Sequence, residues 1–357
     1  MLNQGPYAHQ RPVIRGVVRQ NPTDFEVEED IGFVPDEDPS GEHLWLWVEK
    51  TGQNTAWVAS ELAQAAGLHP AKASFAGLKD RHALTRQWIS LSLGNRDVPN
   101  WDQWRIEGVE ILRAIRSRKK IQRGRLKGNG FSLVLRDLTA IDPSDASLNR
   151  SEGMGCDLEH RLQGIAKAGV PNFFGEQRFG NNNVARARRL FAGELRGKRS
   201  APKRGFYLSA ARSYLFNEVL ARRVEEGHWQ HFLPGDVALL DGSQSFFALE
   251  PGQEDSPEIQ QRLKDFDIHP TGPLPGVGES VVSGQVAKLE AECLAKHSDL
   301  VTGLAQFKVK AMRRSLRSRV SDLQGTWLND QTLKLKFSLA QGAFATTVLR
   351  ELIAYEP

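Results

Sequence analysis

The stretch FAGLKDRHALTRQW, residues 75–88, sets one carboxylate between two cations: Lys79-Asp80-Arg81. Opposite charges close in space favour the ionised form of an acid. An ionised carboxylate can serve as nucleophile or general base. The same triplet after a glycine also makes an ordinary solvated turn. A second group is KGNGFSLVLRDL, 127–138. The Asn129 amide offers a donor and an acceptor that match the Watson–Crick edge of a base, and Phe131 offers a stacking face. Gly-Asn-Gly as a turn and Phe131 as a core residue fit equally. NFFGEQRFGNNN, 172–183, mixes aromatics with an arginine, which suits RNA contact or a hydrophobic staple. In QGAFATTVLREL, 341–352, Phe344 sits at a strand-to-helix turn, where it can enter a cleft or cap a core.

Other chemistries lack support. The chain has no GxGxxG before a helix, no GxxxxGK[ST] and no GxSxG. Cys156 and Cys293 stand far apart, and the nine histidines show no ligand spacing. Carboxylate chemistry without a metal or cofactor remains, or binding alone.

Charge points to the partner. The net charge is only +4, yet residues 24–42 hold nine carboxylates and no base. Residues 116–127 carry seven cations, 186–204 carry eight, and 308–319 carry six. Each run alone reads as a solvated face; together they suggest a polarised molecule that grips a phosphate backbone by releasing counterions. No run of 18 apolar residues appears and no signal peptide opens the chain, so a cytoplasmic protein is expected. A monomer is expected as well, since no coiled-coil or strongly apolar surface helix stands out.

The elements that must position these residues follow from periodicity. VIRGVV, FEVEED, HLWLWVEK, QWISLSL, VEILRAIRS and GFSLVLRDL read as strands; in QWISLSL, Ile89, Leu91 and Leu93 alternate with serines, which predicts a half-buried strand. Asn54-Thr55 reads as the N-cap of a helix closed by Gly67. Residues 142–155 read as a linker, with a helix resuming at Cys156. A helix-rich stretch extends to about residue 320, and a strand, TLKLKFSL, and a helix, ATTVLRELIAY, close the chain. So short a tail cannot form its own core, so it should complete the first domain.

FAGLKDRHALTRQW resembles the signature G-x-K-D-x-x-A-x-T-x-Q of the TruD family of pseudouridine synthases, at Gly77, Lys79, Asp80, Ala83, Thr85 and Gln87. NPTDFEVEED, KGNGFSLVLR, VPNFFGEQRFG, LSAARSYLFN and GAFATTVLREL are similar to further motifs of that family in the same order, so the likeness spans nearly the whole chain. The resemblance implies a mixed α/β (α+β) fold. Its pseudouridine-synthase catalytic domain, a mixed, mainly antiparallel sheet flanked by helices, would comprise 1–168 and 319–357. An inserted α/β TRUD domain would comprise 169–318. It implies isomerisation of uridine, classically uridine 13 of tRNA, without metal or organic cofactor. Asp80 would be the nucleophile acting on a flipped-out uridine. Phe25, Asn129 and Phe344 would contact the target nucleotide, and Phe131 would stack on the base. Arg19 or Lys79 would pair with Asp80. Side chains adjacent in an extended segment point to opposite faces, which favours a cation distant in sequence, such as Arg19. Two other functions stay open: a non-catalytic tRNA-binding or RNA-chaperone protein using the same basic cleft, and a nuclease, which lacks a second carboxylate cluster.

Overall fold

A computed structural model describes residues 5–33, 35–144, 151–180, 182–195 and 203–355. From the N-terminus run β1 (Ile14–Val18), β2 (Phe25–Asp30), β3 (His43–Lys50), helix α1 (Thr55–Ala65), β4 (Ala73–Phe75), β5 (Leu84–Ser92), β6 (Val109–Ser117) and β7 (Gly128–Ala140). There follow α2 (Ser151–Ala168), β8 (Val170–Pro171), α3 (Glu176–Phe179), α4 (Asn183–Phe191), α5 (Arg204–Glu225), β9 (Val237–Leu240), β10 (Phe246–Ala248) and α6 (Pro257–Lys264). Next come β11 (Ile268–Leu274), α7 (Gly284–Ala295), α8 (Ser298–Gln306), β12 (Met312–Ser315) and β13 (Arg317–Ser318). The chain closes with β14 (Val320–Asn329), β15 (Thr332–Ala340) and α9 (Ala345–Leu352).

Contacts divide the chain into two units. The first holds Val13–Leu162, Ser321–Gly342 and Ile353–Pro357. Its described residues form a nine-stranded sheet in the order β14-β15-β7-β2-β5-β3-β6, with β1 also on β7 and β4 on β5. The pair β2–β5 is parallel, while β1–β7, β2–β7, β15–β7, β3–β5, β3–β6 and β4–β5 are antiparallel. This is the mixed, mainly antiparallel sheet that the motifs implied. Leu44, Leu46 and Val48 alternate along β3 and pack with Ile89 and Leu91 against Val58 and Leu62 of α1.

Strand β5 departs from the half-buried expectation. Ser90, between Ile89 and Leu91, is 1% exposed, and its hydroxyl oxygen accepts from Ile121 N at 3.1 Å. The reason is that β5 is interior: it has β2 and β3 on its sides, α1 on one face and Trp45 and Trp88 in a cluster on the other. Asn54 stands at the N-cap of α1, but its side chain makes no capping bond. Helix α2 begins at Ser151, ahead of Cys156, because Met154, Leu158 and Leu162 continue one buried stripe. Residues 145–150 of the expected linker lie outside the described residues.

The second unit holds Met1–Pro12, Gln163–Val320 and Ala343–Leu352. Helices predominate, as the sequence suggests, yet its described residues also form a four-stranded sheet, β10-β9-β11-β12. Strand β11, IHPTGPL, hides from periodicity because it is buried along nearly its whole length and contains two prolines. The tail divides: β15 joins the first sheet, while α9 packs in the second unit. Glu351 of α9 is fully buried and accepts from the Ala8 and His9 amides at 3.0 Å each, and the Arg350 guanidinium lies over Tyr7. These bonds tie α9 to the N-terminal segment.

Two expected outcomes test this framework. A Cβ at Gly128 would lie 2.2 Å from the Leu339 carbonyl on β15. Gly128→Ala should therefore cost about 1–3 kcal/mol in urea unfolding. Asp24 accepts from Asn21 N at 2.9 Å and pairs with Arg136 at 2.7 Å. The Arg136 hydrogen bond holds the Asp24 carboxyl below its ordinary value. Its stabilisation is present above the unfolded-state carboxylate range and is lost as pH falls through the lower folded value. Asp24→Asn should flatten the acid-side fall in stability between neutral pH and pH 3, measured by thermal melts.

Candidate active site

Loop 76–83, between β4 and β5, carries the Lys-Asp-Arg triplet, and buried polar groups hold it from beneath. The Lys79 amide donates to Thr55 Oγ1 at 3.0 Å, and Thr55 donates to Gln87 Oε1 at 2.9 Å. Gln87 in turn donates to the Gly77 carbonyl at 3.1 Å. Thr55 begins α1 and Gln87 lies on β5, so both elements fix the loop.

The Lys79 side chain turns inward. Its Nζ reaches Glu29 Oε1 and Asn129 Oδ1, each at 2.9 Å. Glu29 and Asn129 face each other in the β2–β7 register, which places both on one face of the sheet. The side chains of Lys79 and Glu29 are 5% and 0% exposed. The adjacent Asp80 is more open, with 22% of its side chain exposed. Its Oδ1 accepts from His82 N at 3.0 Å, an Asx turn, and its Oδ2 lies 3.4 Å from Arg19 Nη2. Of the two candidate cations, the structure brings Arg19 to the carboxylate and takes Lys79 away.

Arg19 adopts a left-handed backbone, φ 64°, that a non-glycine residue rarely takes. Its guanidinium lies 4.1 Å over the Phe25 ring. Phe25 meets Phe131 edge-on at 6.4 Å, and Phe131 stacks on Phe337 at 5.2 Å. The face thus presents Asp80, Arg19, Asn129 and the half-buried Phe131 together, with Phe25 buried beneath Arg19. Phe344 belongs to the second unit, where it packs beside Phe173, Phe174 and Phe216. Leu78, beside the inward Lys79, is 76% exposed.

Periodicity pointed at none of Glu29, Lys50, Thr55 or Phe337 as site residues. A signal existed for two of them. Positions 25, 27 and 29 of β2 read Phe, Val, Glu, and positions 44, 46, 48 and 50 of β3 read Leu, Leu, Val, Lys. A charge that continues an inward row is a buried charge with a partner.

The basic runs are less uniform than their sequences suggest. In 116–127, Arg118 pairs with Asp38 and Lys127 with Asp30, while Asp36 accepts from Ser117 and Glu37 pairs with the neighbouring Arg113. The acidic segment thus lies on this run and neutralises part of it, which corrects the picture of a separate acidic pole. In 308–319, Arg313 is 9% exposed and bound to Glu290, and Arg317 is 4% exposed, so both serve the interior of the second unit. Lys308, Lys310 and Arg319 remain exposed. Residues 196–202 of the middle run lie outside the described residues. No described group of three or more His, Cys, Asp or Glu side chains gathers as metal ligands. A cavity of about 640 Å³ beside β2, β7 and β15 is lined by Glu26, Glu28, Arg86 and Lys336, but not by Asp80.

The family profile described as tRNA pseudouridine synthase D (TruD) matches residues 1–194 and 200–352. The chain belongs to the TruD family. It is 43% identical over 355 residues to tRNA pseudouridine synthase D of Methylococcus capsulatus, covering 99% of this chain and 95% of that protein. Its identity to tRNA pseudouridine synthase D of Hydrogenovibrio crunogenus is 40% over 353 residues, 98% of this chain and 96% of that one. The fold agrees with a crystal structure described as TruD from Methanosarcina mazei, with a TM-score of 0.73 at 23% identity over 97% of this chain and 95% of that one. The chain is therefore a pseudouridine synthase by family. No described helix is long and apolar enough to cross a membrane.

The buried Lys79–Glu29 pair can be tested apart from activity. Removing one partner leaves a buried uncompensated charge, so Lys79→Met should cost about 3–5 kcal/mol in urea unfolding. Adding Glu29→Gln should restore more than half of that loss. Strictly additive losses would show that the two side chains are not coupled.

Proposed function

We propose that this protein isomerises uridine to pseudouridine in tRNA, with uridine 13 as the target and Asp80 as nucleophile, and needs no metal or organic cofactor. One observation carries the reading. Asp80 is a partly exposed carboxylate, ion-paired with Arg19, whose guanidinium lies over Phe25 beside Phe131. The names of the relatives support tRNA as the substrate class.

The target base must leave its stack before a carboxylate reaches it. Phe131, backed by Phe337, offers the extruded base a stacking surface, and the Asn129 amide offers hydrogen bonds to its edge. Asn129 Oδ1 is held by Lys79, which leaves the amide N–H groups to donate toward a uracil carbonyl. The Asp80 carboxylate attacks the base at C6 or the ribose at C1′. On either route the N1–C1′ glycosidic bond breaks, the uracil rotates, C5 bonds to C1′, and the bond to Asp80 is released to return the free carboxylate. The C5 proton is then lost and N1 gains one, so the product is an isomer and no external reactant is consumed. Phe25 supports this face from beneath Arg19. Exposed cations of the three basic runs bind the RNA backbone.

In this reading residues 1–168 and 319–357 are the catalytic domain and 169–318 the inserted TRUD domain. The protein works as a monomer in the cytoplasm. The test is incubation with unmodified tRNA followed by carbodiimide mapping of pseudouridine. The wild-type chain should modify position 13, and Asp80→Asn should lower the rate by at least about 10⁴-fold while tRNA affinity is kept. Pseudouridine formation by Asp80→Asn would remove Asp80 as nucleophile. Binding without any conversion by the wild-type chain would favour the non-catalytic alternative.

A further inference from the structure

Lys50 is the last residue of β3, in the inward row Leu44, Leu46, Val48, Lys50, and it is 1% exposed. Its Nζ donates to the Gln53 carbonyl at 2.9 Å and to the Asp80 carbonyl at 3.0 Å. One ammonium thus joins three things: the end of a core strand, the turn that enters α1, and the main chain of the proposed nucleophile. Thr85 of β5 and Val109 of β6 flank Lys50 in register, and neither carries a charge. Burying an ammonium costs several kcal/mol, and a methionine would fill much of the same space without that cost. The charge is accounted for by what it holds.

We propose that Lys50 is a positioning residue for the isomerisation, fixing the backbone of Asp80 so that its carboxylate meets the flipped nucleotide at a set distance. The proposal rests on the reading of Asp80 as nucleophile. Arg19 grips the carboxylate from the partly solvated side, and Lys50 grips the same residue's carbonyl from the buried side. A displacement of about 1 Å at a reacting group can cost about 10²-fold in rate.

Burial pushes the Lys50 ammonium down to about 8; the Asp80 carboxylate opposes that shift and Lys79 adds to it. The neutral amine keeps donors, but its bonds lack the charge assistance of the ammonium, so the hold on Asp80 loosens. Stability moves the other way. With a folded value below the ordinary lysine value of 10.5, this group's contribution to stability rises as pH climbs from about 8 toward 10.5. A fall in rate across that range, without loss of the fold, separates positioning from a structural role.

The experiment measures single-turnover rates on unmodified tRNA from pH 6 to 10 for wild type, Lys50→Met and Asp80→Asn, with thermal melts and KM for each. Lys50→Met should lower kcat about 10²-fold with KM within about twofold, and the alkaline limb near pH 8 seen in wild type should be absent. Near-wild-type kcat in Lys50→Met overturns the proposal. So does a loss that comes with raised KM, a lowered Tm and an unchanged limb. Should Lys50→Met fail to fold, the wild-type profile decides, because a kcat flat through pH 8 to 9 overturns the proposal. An inactive Asp80→Asn beside a fully active Lys50→Met refutes the role of Lys50 alone, whereas an active Asp80→Asn refutes the reading beneath it.

Discussion

The buried pair of Lys79 and Glu29 decides where the candidate nucleophile points. Two unlike charges removed from water must meet, and here they meet across a strand boundary with Asn129 as third partner. With Lys79 engaged inward, the neighbouring Asp80 is left partly exposed beside Arg19 and is held by its own bond from His82 N. The KD dipeptide is in this sense one device. Its first residue is an anchor, and its second is left on the open side with Arg19.

That anchor works only because the sheet register is fixed. Glu29 faces Asn129, Val27 faces Phe131 and Phe131 faces Phe337, three consecutive strands contributing to one face. A shift of one residue in β7 would turn Asn129 and Phe131 to the other side and leave Lys79 with half its partners. Gly128 lets β15 approach at the point where this register begins. Loop 76–83 is thus held by the sheet through Glu29 and Asn129, by α1 through Thr55, and by β3 through Lys50. Such preorganisation is what a carboxylate needs if it is to meet a flipped base without rearranging.

Charge is used for architecture as much as for RNA. Arg313 and Arg317 look like phosphate ligands in the sequence, yet they spend their hydrogen bonds on Glu290, Thr271 and the Leu263 and Ile268 carbonyls. The acidic stretch after β2 folds back onto Arg113 and Arg118, and Asp30 at the end of β2 pairs with Lys127. A linear count of cations therefore overstates the surface available to a polyanion.

Local pattern determined the strands β1, β2, β3, β5, β6, β7 and β15, the helices α1 and α9, and the motifs that carry the family likeness. Period-two alternation and capping signals are short-range properties that a chain carries in its residues. Three things were settled by tertiary structure. Strand β11, with its prolines, exists because its neighbours bury it. Helix α9 left the strand it follows because Glu351 found the amides of Ala8 and His9, more than 340 positions away in the chain. The partner of Lys79 was Glu29, 50 positions earlier, whereas Arg19, 61 positions before Asp80, was the partner the family likeness already favoured. Sequence names the ionisable groups, but pairing depends on which faces the sheet register brings together, and no local period encodes that.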